Sequence, residues 1–398
     1  MKKIYHSIGL MSGTSLDGLD IALCQFENYT KNNSSLWNYK IIKTEFVEYD
    51  KTWKNKLQNA HLLSAFELKK LETEWTDFLV KKINKFVLQS KMDFTSLDCL
   101  SSHGHTVFHQ PIQKNKNQKK EQLGFTLQIG NGAMLAEQTG FRVVCDFRQT
   151  DVALGGQGAP LVPIGDELLF SDYDFCLNLG GIANISFNKD KKNINSRFAF
   201  DICPCNMVLN YLSSRLGFEY DEGGKLAKKG KIDKKLLQKL NDLEFYKQDY
   251  PKSLGREWVE KFVFPLLETE ILSQNELVIK DLLHTCTYHS AFQIAESITK
   301  IELTLPKMKT KRKLLITGGG AYNDLLIDYL NKLLPTIEVE KGSETLIAYK
   351  EALIFAFLGV LRLRGETNTL ASVTGATKNS CGGSIYLAES EVAIFLES

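Results

Sequence analysis

The chain has 398 residues, 43% of them hydrophobic, and its 49 Lys and Arg almost balance 47 Asp and Glu, for a net charge of +2. This length is typical of two domains, and the small net charge argues against a surface devoted to nucleic acid. The longest apolar run, ALIFAFLGVL, is shorter than the roughly 20 residues of a membrane-spanning helix. The N-terminus shows no signal segment, and the cysteines form no CxxC pair. We expect a cytoplasmic protein that binds neither nucleic acid nor membrane.

Two runs of strand character flank a polar turn near the start of the chain. KIYHSIGL and LDIALCQF predict a β-hairpin whose turn is rich in glycine, hydroxyl and carboxylate groups. The next stretch has a helical period with Ser64 as N-cap, and its apolar stripe consists of Phe66, Leu71, Trp75, Phe78, Ile83 and Phe86. LDCLSSHGHTVFHQP then predicts a strand that runs into a polar loop, and FTLQIG, GAMLAEQT and FRVVCDF predict strand, helix and strand. This alternation predicts an α/β domain.

A similar layout follows in the second half of the chain. RQTDVALGGQGAPLVP, glycine-rich and ending in prolines, is typical of a crossing between domains. YDFCLNLGGIANISFNKD predicts a strand, a glycine turn and a strand, followed by a strand at RFAFDI and a helix at NMVLNYLSSRLG. Further helices, a strand–glycine–helix unit at RKLLITGGGAYNDLLIDYLNKLL, a buried helix around Glu351 and a β-rich tail complete the chain. The repeated layout predicts two α/β halves and favours duplication.

Glycine-rich turns follow apolar strands at three places: after Gly13, at Gly180 and Gly181, and at Gly318, Gly319 and Gly320. In any one turn glycine can simply supply a positive φ. Three such turns favour anion binding, because glycine lets backbone N–H groups approach an anion and the third turn leads into a helix N-terminus. Two hairpins would hold a polyphosphate and the third turn a nucleoside, which resembles the actin, Hsp70 and sugar-kinase superfamily. No GxxxxGK[ST] motif offers the commonest alternative.

A series of motifs resembles one family more closely than the superfamily. In chain order these are GLMSGTSLDGLD, SSHGHTVFHQP, LQIGN, DFRQTDVALGGQGAPLVP, LNLGGIANIS, FDICPCN, KSLGRE, TGGGAYN, KEALIFAF and VTGA. Over nearly its whole length the chain resembles the anhydro-N-acetylmuramic acid kinases. The opening hairpin and the run through GGQGAPLVP are specific to that family.

The resemblance implies a two-domain actin-like ATPase fold with nucleotide and sugar in the interdomain cleft. The first domain would comprise residues 1–147 and the second 148–365, with a C-terminal segment, 366–398, returning to the first. The implied reaction is ATP-dependent phosphorylation of 1,6-anhydro-N-acetylmuramic acid at O6 with hydrolytic opening of the anhydro ring. Its product, N-acetylmuramic acid 6-phosphate, belongs to the recycling of peptidoglycan. A homodimer is implied in the same way.

Asp201 takes the place of the family's catalytic base, which would accept a proton from the water that opens the ring. The family's Thr-Gly-Pro-Gly is here Ile202-Cys203-Pro204-Cys205. The two cysteines remove the easy positive φ of glycine and add side chains, which brings the shape of the backbone and the width of the pocket into question. A zinc site at Cys-Pro-Cys is disfavoured, because no further Cys/His cluster lies near it in the sequence.

The first turn would hold the outer phosphates of ATP, and its residues are Gly13, Thr14, Ser15, Leu16, Asp17, Gly18, Leu19 and Asp20. Two carboxylates so close to ATP would repel it unless Asp17 or Asp20 holds Mg²⁺, directly or through water. The resemblance implies that Gly180 and Gly181 form a facing phosphate turn. The three glycines of TGGGAYN would form the nucleoside site.

Sugar recognition is expected from His103, Thr106, Arg148, Asp151, Gln157 and Glu351. Arg148 suits the lactyl carboxylate of a muramic acid, although a surface or interdomain ion pair is an equal alternative. The histidines of His-Gly-His-Thr-Val-Phe-His lack a usual zinc spacing, which favours hydrogen bonding to sugar or backbone. Glu351 lies in an otherwise apolar helix, where a carboxylate is costly unless something binds it.

Three other functions remain open from the sequence. A related kinase could act on a different amino sugar, because Cys203 and Cys205 depart from the family motif. An actin-like or Hsp70-like nucleotide switch would bind partners and make no small-molecule product. A pseudoenzyme would bind sugar without turnover. Stoichiometric product formation separates the kinases from the other two.

Overall fold

The computed structural model describes residues 2–13, 15–31, 34–90, 96–111, 123–191, 193–271 and 275–389. Its strands are β1 (Lys3–Ser12), β2 (Gly18–Lys31), β3 (Ser34–Glu48), β4 (Cys99–Gln110), β5 (Phe125–Ile129), β6 (Val143–Cys145), β7 (Phe175–Leu179), β8 (Ile182–Asn188), β9 (Arg197–Pro204), β10 (Arg312–Thr317), β11 (Ile337–Lys341) and β12 (Ser384–Tyr386). Its α-helices are α1 (Lys51–Gln58), α2 (Ala65–Ser90), α3 (Gly132–Thr139), α4 (Gln149–Ala153), α5 (Pro163–Leu168), α6 (Asn206–Ser214), α7 (Lys234–Asn241), α8 (Arg256–Phe262), α9 (Phe264–Ile271), α10 (Glu276–Thr304), α11 (Asp324–Leu333), α12 (Glu344–Leu363) and α13 (Ala371–Thr374).

The chain divides into two compact units. The first comprises Met1–Leu169 and Tyr349–Ser398, and the second comprises Phe170–Ala348. The first unit therefore extends about twenty residues beyond the expected boundary at 147, and the chain returns to it before 366.

Packing explains why the segment 148–169 belongs to the first unit rather than forming a crossing. Gly165 of α5 lies so close to Ile354 of α12 that a Cβ would sit 2.6 Å from that side chain. The hydroxyl of Thr374 donates to Asp151 of α4 at 2.7 Å. Helix α12 in turn packs on β1, where a Cβ at Gly9 would sit 1.9 Å from the carbonyl oxygen of Ala352. Such close approach of a helix to a strand requires glycine.

Both units contain the same order of five strands, which is β6-β4-β1-β2-β3 in the first and β11-β10-β7-β8-β9 in the second. In the first, the sheet runs β12-β6-β4-β1-β2-β3, with β5 paired to β4. In the second, it runs β11-β10-β7-β8-β9. In the first sheet β1 and β3 pair antiparallel with β2, and β1 pairs parallel with β4. In the second sheet β7 and β9 pair antiparallel with β8, and β7 pairs parallel with β10. The predicted repetition of layout is thus present in the topology.

Helix α2 covers the first sheet with the predicted stripe. The Ser64 Oγ accepts a hydrogen bond from Glu67 N–H, and the Glu67 carboxylate accepts from Ser64 N–H, which is a capping box. Of the stripe, Leu71, Trp75, Ile83 and Phe86 are buried and Phe78 is half-buried. Phe66 departs from the prediction with 81% exposure, because the first turn of the helix extends beyond the core.

The core of the second unit lies between its sheet and the helices α10 and α11. Its members include Phe175, Leu177 and Ile185 from the sheet and Ile294 and Ile298 from α10. The predicted buried helix is α12, and residues 352–360 in it are all buried. None of the helices in the described ranges combines the length and apolar character needed to span a membrane.

Two predicted elements differ from the structure. The strand β4 continues to Gln110, so the histidines expected in a loop lie on a strand that pairs with β5. In the tail, LASVT forms the short helix α13 rather than a strand, and only β12 is extended in the described part. Residues 390–398 lie outside the described residues.

Candidate functional site

The turn between β1 and β2 folds back on its own side chains. The Ser15 Oγ donates to Asp17 Oδ1 at 2.6 Å, and Gly18 N–H donates to the same oxygen at 3.0 Å. Leu16 adopts a left-handed backbone conformation with φ of 60°. Thr14, a predicted phosphate ligand, lies outside the described residues. Asp17 is exposed, and its Oδ1 is already engaged within the turn.

Acidic groups cluster beyond this turn in the first unit. Burial, and then the charges of Asp17 and Glu351, raise the pKa of Asp20 to about 7. Within the described ranges, no protein group donates a hydrogen bond to the Asp20 carboxyl. The charges of Asp17 and Glu351 thus favour the protonated form of Asp20, and a nearby cation would favour its ionised form.

Glu351 is the only acidic residue in the apolar part of α12, and this position makes it a candidate ligand residue. Solvent reaches its side chain, yet the surrounding protein desolvates the carboxyl and raises its pKa, while the charges of Arg148 and Lys350 lower it. Lys350 itself is buried and forms an ion pair with Asp166 at 2.8 Å. The Lys350 charge is thus already paired with Asp166, and Arg148 has the larger effect on the pKa of Glu351.

Arg148 and His103 form a fixed polar pair. The Nε and Nη2 of Arg148 donate to His103 Nε2 at 3.1 and 2.7 Å, and Nη1 donates to the Gly158 carbonyl at 2.6 Å. His103 Nδ1 donates to the carbonyl of Gly104 at 3.0 Å. Burial, and then the guanidinium charge, lower the pKa of His103 to about 3, so the ring is neutral. The arrangement orients a half-buried cation for an anionic partner.

The other histidines of β4 also have protein partners. His105 Nδ1 lies 2.9 Å from Ser12 Oγ, which accepts from the hydroxyl of Tyr49 at 2.8 Å. Burial lowers the pKa of His105 to about 4. His109 Nδ1 lies 3.1 Å from Thr126 Oγ1. Across the described part of the chain, no group of three or more His, Cys, Asp or Glu side chains is arranged to hold a metal.

Asp151 is completely buried and holds the glycine-rich loop that follows α4. Its Oδ2 accepts from Gly158 N–H at 2.7 Å, and its Oδ1 accepts from Thr374 Oγ1 at 2.7 Å. A Cβ at Gly156 would sit 2.2 Å from this carboxylate. Both oxygens thus serve the protein, so the geometry gives Asp151 a structural role, and direct sugar binding by it stays a prediction.

Of the two remaining predicted sugar ligands, one lies in this loop and the other lies on β4. Gln157 is exposed within it, and its backbone N–H donates to the carbonyl of Thr374 at 2.9 Å. Thr106 is half-buried on β4, where Gln128 Nε2 lies 3.4 Å from its hydroxyl. Arg148 has the donor geometry suited to an anionic ligand, and sugar binding by Arg148, Glu351, Thr106 and Gln157 stays a prediction.

In the second unit, the turn between β7 and β8 is joined to helix α6. The carbonyl of Gly180 accepts from Asn206 N–H at 3.1 Å, and that of Gly181 accepts from Cys205 and Met207 N–H at 2.9 and 3.1 Å. The first N–H groups of α6 are thereby satisfied by the turn.

The space around the glycines separates those required by the fold from those that are not. A Cβ at Gly18 would sit 2.4 Å from the Phe46 ring, and one at Gly318, whose φ is 80°, would sit 2.6 Å from Asn178. By contrast, no atom lies within 3.3 Å of a Cβ built at Gly180, or within 3.7 Å of one at Gly181. A Cβ at Gly180 would thus be tight against Asn178, whereas Gly181 has room for a side chain, so the packing does not require glycine at 181 and a closely approaching ligand accounts for it better.

The other predicted glycines divide in the same way. A Cβ at Gly320 would sit 2.7 Å from Leu179, whereas one at Gly319 would meet its first atom at 3.6 Å and one at Gly13 at 3.3 Å. Leu19, also predicted in the first turn, is buried in the core of the first unit. The Leu19 side chain therefore serves the core, and a contact of its backbone with phosphate stays a prediction.

Asp201 lies beside a β-bulge on β9. Ala183 pairs with Cys203 and Asn184 with Asp201, so Ile202 is the extra residue. The Asp201 Oδ2 accepts from Ser253 Oγ and from Leu254 N–H, both at 2.9 Å. Burial raises the pKa of Asp201, and these two hydrogen bonds partly oppose the effect. Bulges of this kind re-aim side chains at functional sites.

Cys203 and Cys205, which replace the family's glycines, are both completely buried in the core of the second unit. Neither has a positive φ. Their side chains point into the core, and neither position needs the positive φ that glycine provides. The two cysteines therefore neither strain the backbone of β9 nor narrow the space beside Asp201. Burial raises the pKa of both thiols, Cys205 to about 12.

A cavity of about 590 Å³ lies in the second unit beside the third glycine turn. It is lined by Asn206, Leu209, Asn210, Tyr220, Asp221, Glu222, Gly223, Lys225, Gly319, Gly320, Tyr322, Asn323, Asp324 and Lys341. The Lys341 Nζ lies 4.4 Å above the ring of Tyr322, and Tyr220 is 58% exposed. Aromatic faces with a cation between polar walls suit a nucleobase and its ribose.

Sequence reasoning missed several of these residues. Tyr322 stands inside TGGGAYN, and Lys341 ends β11, so a strand-end position next to the glycine turn was the available signal. Ser253 stands inside KSLGRE, a motif to which no role was assigned.

Two α/β units with one repeated strand order and a glycine turn in each, together with a nucleoside-sized cavity, define an actin-like ATPase fold of the sugar-kinase class. The family model described as anhydro-N-acetylmuramic acid kinase matches residues 5–388. The chain belongs to the anhydro-N-acetylmuramic acid kinase family and is a carbohydrate kinase.

Relatives and a solved structure give the extent of the similarity. The anhydro-N-acetylmuramic acid kinase of Clostridioides difficile (strain 630) is 34% identical over 393 residues, which cover 96% of this chain and 98% of that protein. The one from Pseudomonas syringae pv. syringae (strain B728a) is 32% identical, with 96% and 99% covered. Component A of (R)-2-hydroxyglutaryl-CoA dehydratase from Acidaminococcus fermentans aligns with 88% of this chain and 96% of its own, at a TM-score of 0.42 and 10% identity. That last likeness is too low to carry an argument.

Proposed function

We propose that this protein converts 1,6-anhydro-N-acetylmuramic acid, ATP and water into N-acetylmuramic acid 6-phosphate and ADP, a step in the recycling of peptidoglycan. Water attacks C1, the C1–O6 bond breaks, and O6 forms a bond to the γ-phosphorus as the bond from that phosphorus to ADP breaks. The water proton passes to a carboxylate. Family membership supports the substrate, and the geometry of Asp201 carries the assignment of the base.

Asp201 is suited to accept this proton. Both of its carboxylate hydrogen bonds fall on Oδ2, and in the described part of the chain no protein group donates to Oδ1. Burial raises its pKa, which makes the ionised carboxylate a stronger base. One oxygen is thus held and the other is available to water.

The nucleoside of ATP would occupy the cavity in the second unit. The Tyr322 ring and the Lys341 ammonium offer the base an aromatic face and a cation, and the carboxylates of Glu222 and Asp324 offer acceptors to ribose hydroxyls. The bare glycines at 180 and 181 would let the phosphates approach the backbone.

Mg²⁺ would be held by a single carboxylate together with the phosphates of ATP, because the described side chains form no cluster of three metal ligands, and Asp20 is better suited to this than Asp17. The Asp17 Oδ1 already accepts hydrogen bonds from Ser15 and Gly18. Burial and two neighbouring carboxylates raise the pKa of Asp20, and a bound cation would lower it again. A bound Mg²⁺ supplies charge neutralisation to the outer phosphates. Asp20 would hold the ion, directly or through water.

The sugar would be held by the polar pair in the first unit. Arg148 is oriented by His103 and the Gly158 carbonyl, and it retains N–H groups for the lactyl carboxylate. Glu351 would accept from sugar hydroxyls. Because Cys203 and Cys205 point into the core, they give no support to a different amino sugar. A homodimer in the cytoplasm completes the proposal, on the strength of the family resemblance.

The test is a mass-spectrometric product assay with ATP, Mg²⁺ and 1,6-anhydro-N-acetylmuramic acid in heavy-oxygen water. We expect a product heavier than the substrate by one phosphoryl group and one water, with the heavy oxygen on C1. Asp201→Asn should abolish this product while ATP binding persists, and Asp249→Asn, at an exposed site of the same unit, should not. Phosphorylation without added water would refute the role of Asp201, and no product with ATP bound would refute the substrate.

A further inference from the structure

The segment between the helices α7 and α8 contains the motif KSLGRE and meets the strand that carries Asp201. Three consecutive residues of this segment bond to Asp201. The Lys252 carbonyl accepts from Asp201 N–H at 3.0 Å, and Ser253 Oγ and Leu254 N–H donate to Asp201 Oδ2 at 2.9 Å each. Backbone and side chain of the proposed base are therefore tied to one short piece of chain.

This piece of chain is itself anchored close to Asp201. The Tyr250 ring stacks on Phe200 at 5.2 Å between centroids, with 13° between the ring planes. The Lys252 Nζ donates to the carbonyl of Phe245 at 3.2 Å, and Leu254 is buried. Since Phe200 precedes Asp201 on β9, the stacking fixes the distance between the segment and the base.

Two donors on one oxygen have a consequence for the other. A carboxylate whose Oδ2 is held by two donors cannot rotate freely, so its Oδ1 keeps one direction. Rigid orientation of this kind is what general-base catalysis requires of an enzyme. Leu254 donates through its backbone N–H, which an alanine replacement leaves in place, whereas Ser253 donates through a side chain that alanine removes.

We propose that Ser253 is a positioning residue that holds the Asp201 carboxylate with Oδ1 toward the attacking water. The inference rests on the proposed role of Asp201 as the base. Ser253 is exposed at the surface of the unit, so its replacement leaves the core intact. Its hydroxyl also stabilises the ionised carboxylate, and the loss of this donor would raise the pKa of Asp201.

Other ionisable groups around Asp201 do not obscure the test. On its own strand, Cys203 is a buried thiol whose pKa is well above its ordinary value, so it stays neutral. On the facing segment, burial lowers the pKa of Lys252, with Lys300 adding to the effect. On the paired strand β8, the residue opposite Asp201 is Asn184, which does not titrate.

The experiment compares the pH dependence of kcat/KM for the anhydro sugar in wild type, Ser253→Ala and Ser253→Thr. In Ser253→Ala, we expect kcat to fall roughly three- to tenfold and the acid limb to move upward by roughly half a unit to one unit, because one hydrogen bond to a charged group is lost. The KM for ATP should stay unchanged. Ser253→Thr keeps the hydroxyl and should restore both values toward wild type. Ser214→Ala, which removes another exposed serine hydroxyl of the same unit, should behave as wild type.

Each contrary result identifies what fails. An acid limb of Ser253→Ala that coincides with wild type, or a Ser253→Thr that is as impaired as alanine, overturns the positioning role. An Asp201→Asn variant that keeps ring-opening turnover overturns the base assignment itself. If Asp201→Asn is inactive while Ser253→Ala keeps the wild-type rate and pH profile, the base assignment stands and the positioning role of Ser253 is refuted.

Discussion

Replacing Asp20 by asparagine should stabilise the ligand-free protein while removing its kinase activity. Burial and the charges of Asp17 and Glu351 raise the pKa of Asp20 from 3.8 to about 7. In the unfolded chain, this carboxyl ionises at its ordinary value. Between these two pH values the folded state binds a proton that the unfolded state does not, so the free energy of unfolding falls as pH rises through this range. Above the folded pKa, the full penalty is present.

The magnitude follows from the size of the shift. From 3.8 to about 7, and at about 1.4 kcal/mol for each unit, the penalty at pH 8 is at most about 4 kcal/mol. Because Asp20 is only partly buried, we expect about 2 kcal/mol. Asp20→Asn should recover this amount at pH 8 and nothing below the ordinary pKa of aspartate. Mg²⁺ with ATP should stabilise the wild type more than the variant, because the variant retains the nucleoside cavity and lacks the carboxylate that would hold the ion.

Urea denaturation followed by tryptophan fluorescence measures this difference, since Trp37, Trp53 and Trp75 report on the first unit. Asp328→Asn, on the exposed side of α11, is the matched control and should leave the pH dependence unchanged. A variant that is less stable than wild type at pH 8, or a difference that is equal at pH 3 and pH 8, would refute the reasoning. Such a result would mean that the protein does not oppose the charge of Asp20.

Two further predictions test the cavity and the buried ion pair. Lys341→Ala should raise the KM for ATP roughly fivefold with little change in kcat, because a cation that faces the base is lost, and steady-state kinetics measure it. Lys332→Ala removes a similar cation from the ring of Tyr329 outside the cavity, so an equal rise there would contradict the assignment. Lys350→Met should lower the free energy of unfolding by about 3 kcal/mol, because Asp166 is then a buried charge without its cation. Adding Asp166→Asn should restore most of this in urea titrations, and a double variant as unstable as the single one would contradict the explanation.

Local patterns predicted the parts of the fold that depend on nearby residues. Helix α3 matches the predicted GAMLAEQT because Asn131 caps its start and Gly140, with φ of 72°, ends it. The β1–β2 and β7–β8 hairpins were predictable because two apolar runs and the short polar turn between them lie within about twenty residues. The fold class came from the family resemblance, and the order of the strands in each sheet came only from the structure.

Long-range contacts explain what the sequence did not reveal. The polar end of β4 looks like a loop, yet pairing with β5 from Phe108 to Gln110 makes it a strand. Asp151 looks like a ligand residue, and only its bond to Thr374, 223 residues away, shows that it holds a loop. Ser253 meets Asp201 across 52 residues, a separation at which no spacing rule applies. Residues that act through distant partners therefore require the structure.

The repeated strand order has a consequence for the ancestry of the chain. A gene that encoded one such unit would, on duplication, yield two turns at the same place in two sheets, each ready to meet an anion. The two units now differ in what accompanies their turns: the first has the carboxylates around Asp20, and the second has a glycine at 181 that its packing does not require. On the proposed roles, mutations that tune metal affinity would fall in the two end segments of the gene, and mutations that tune nucleotide choice would fall in the segment between them.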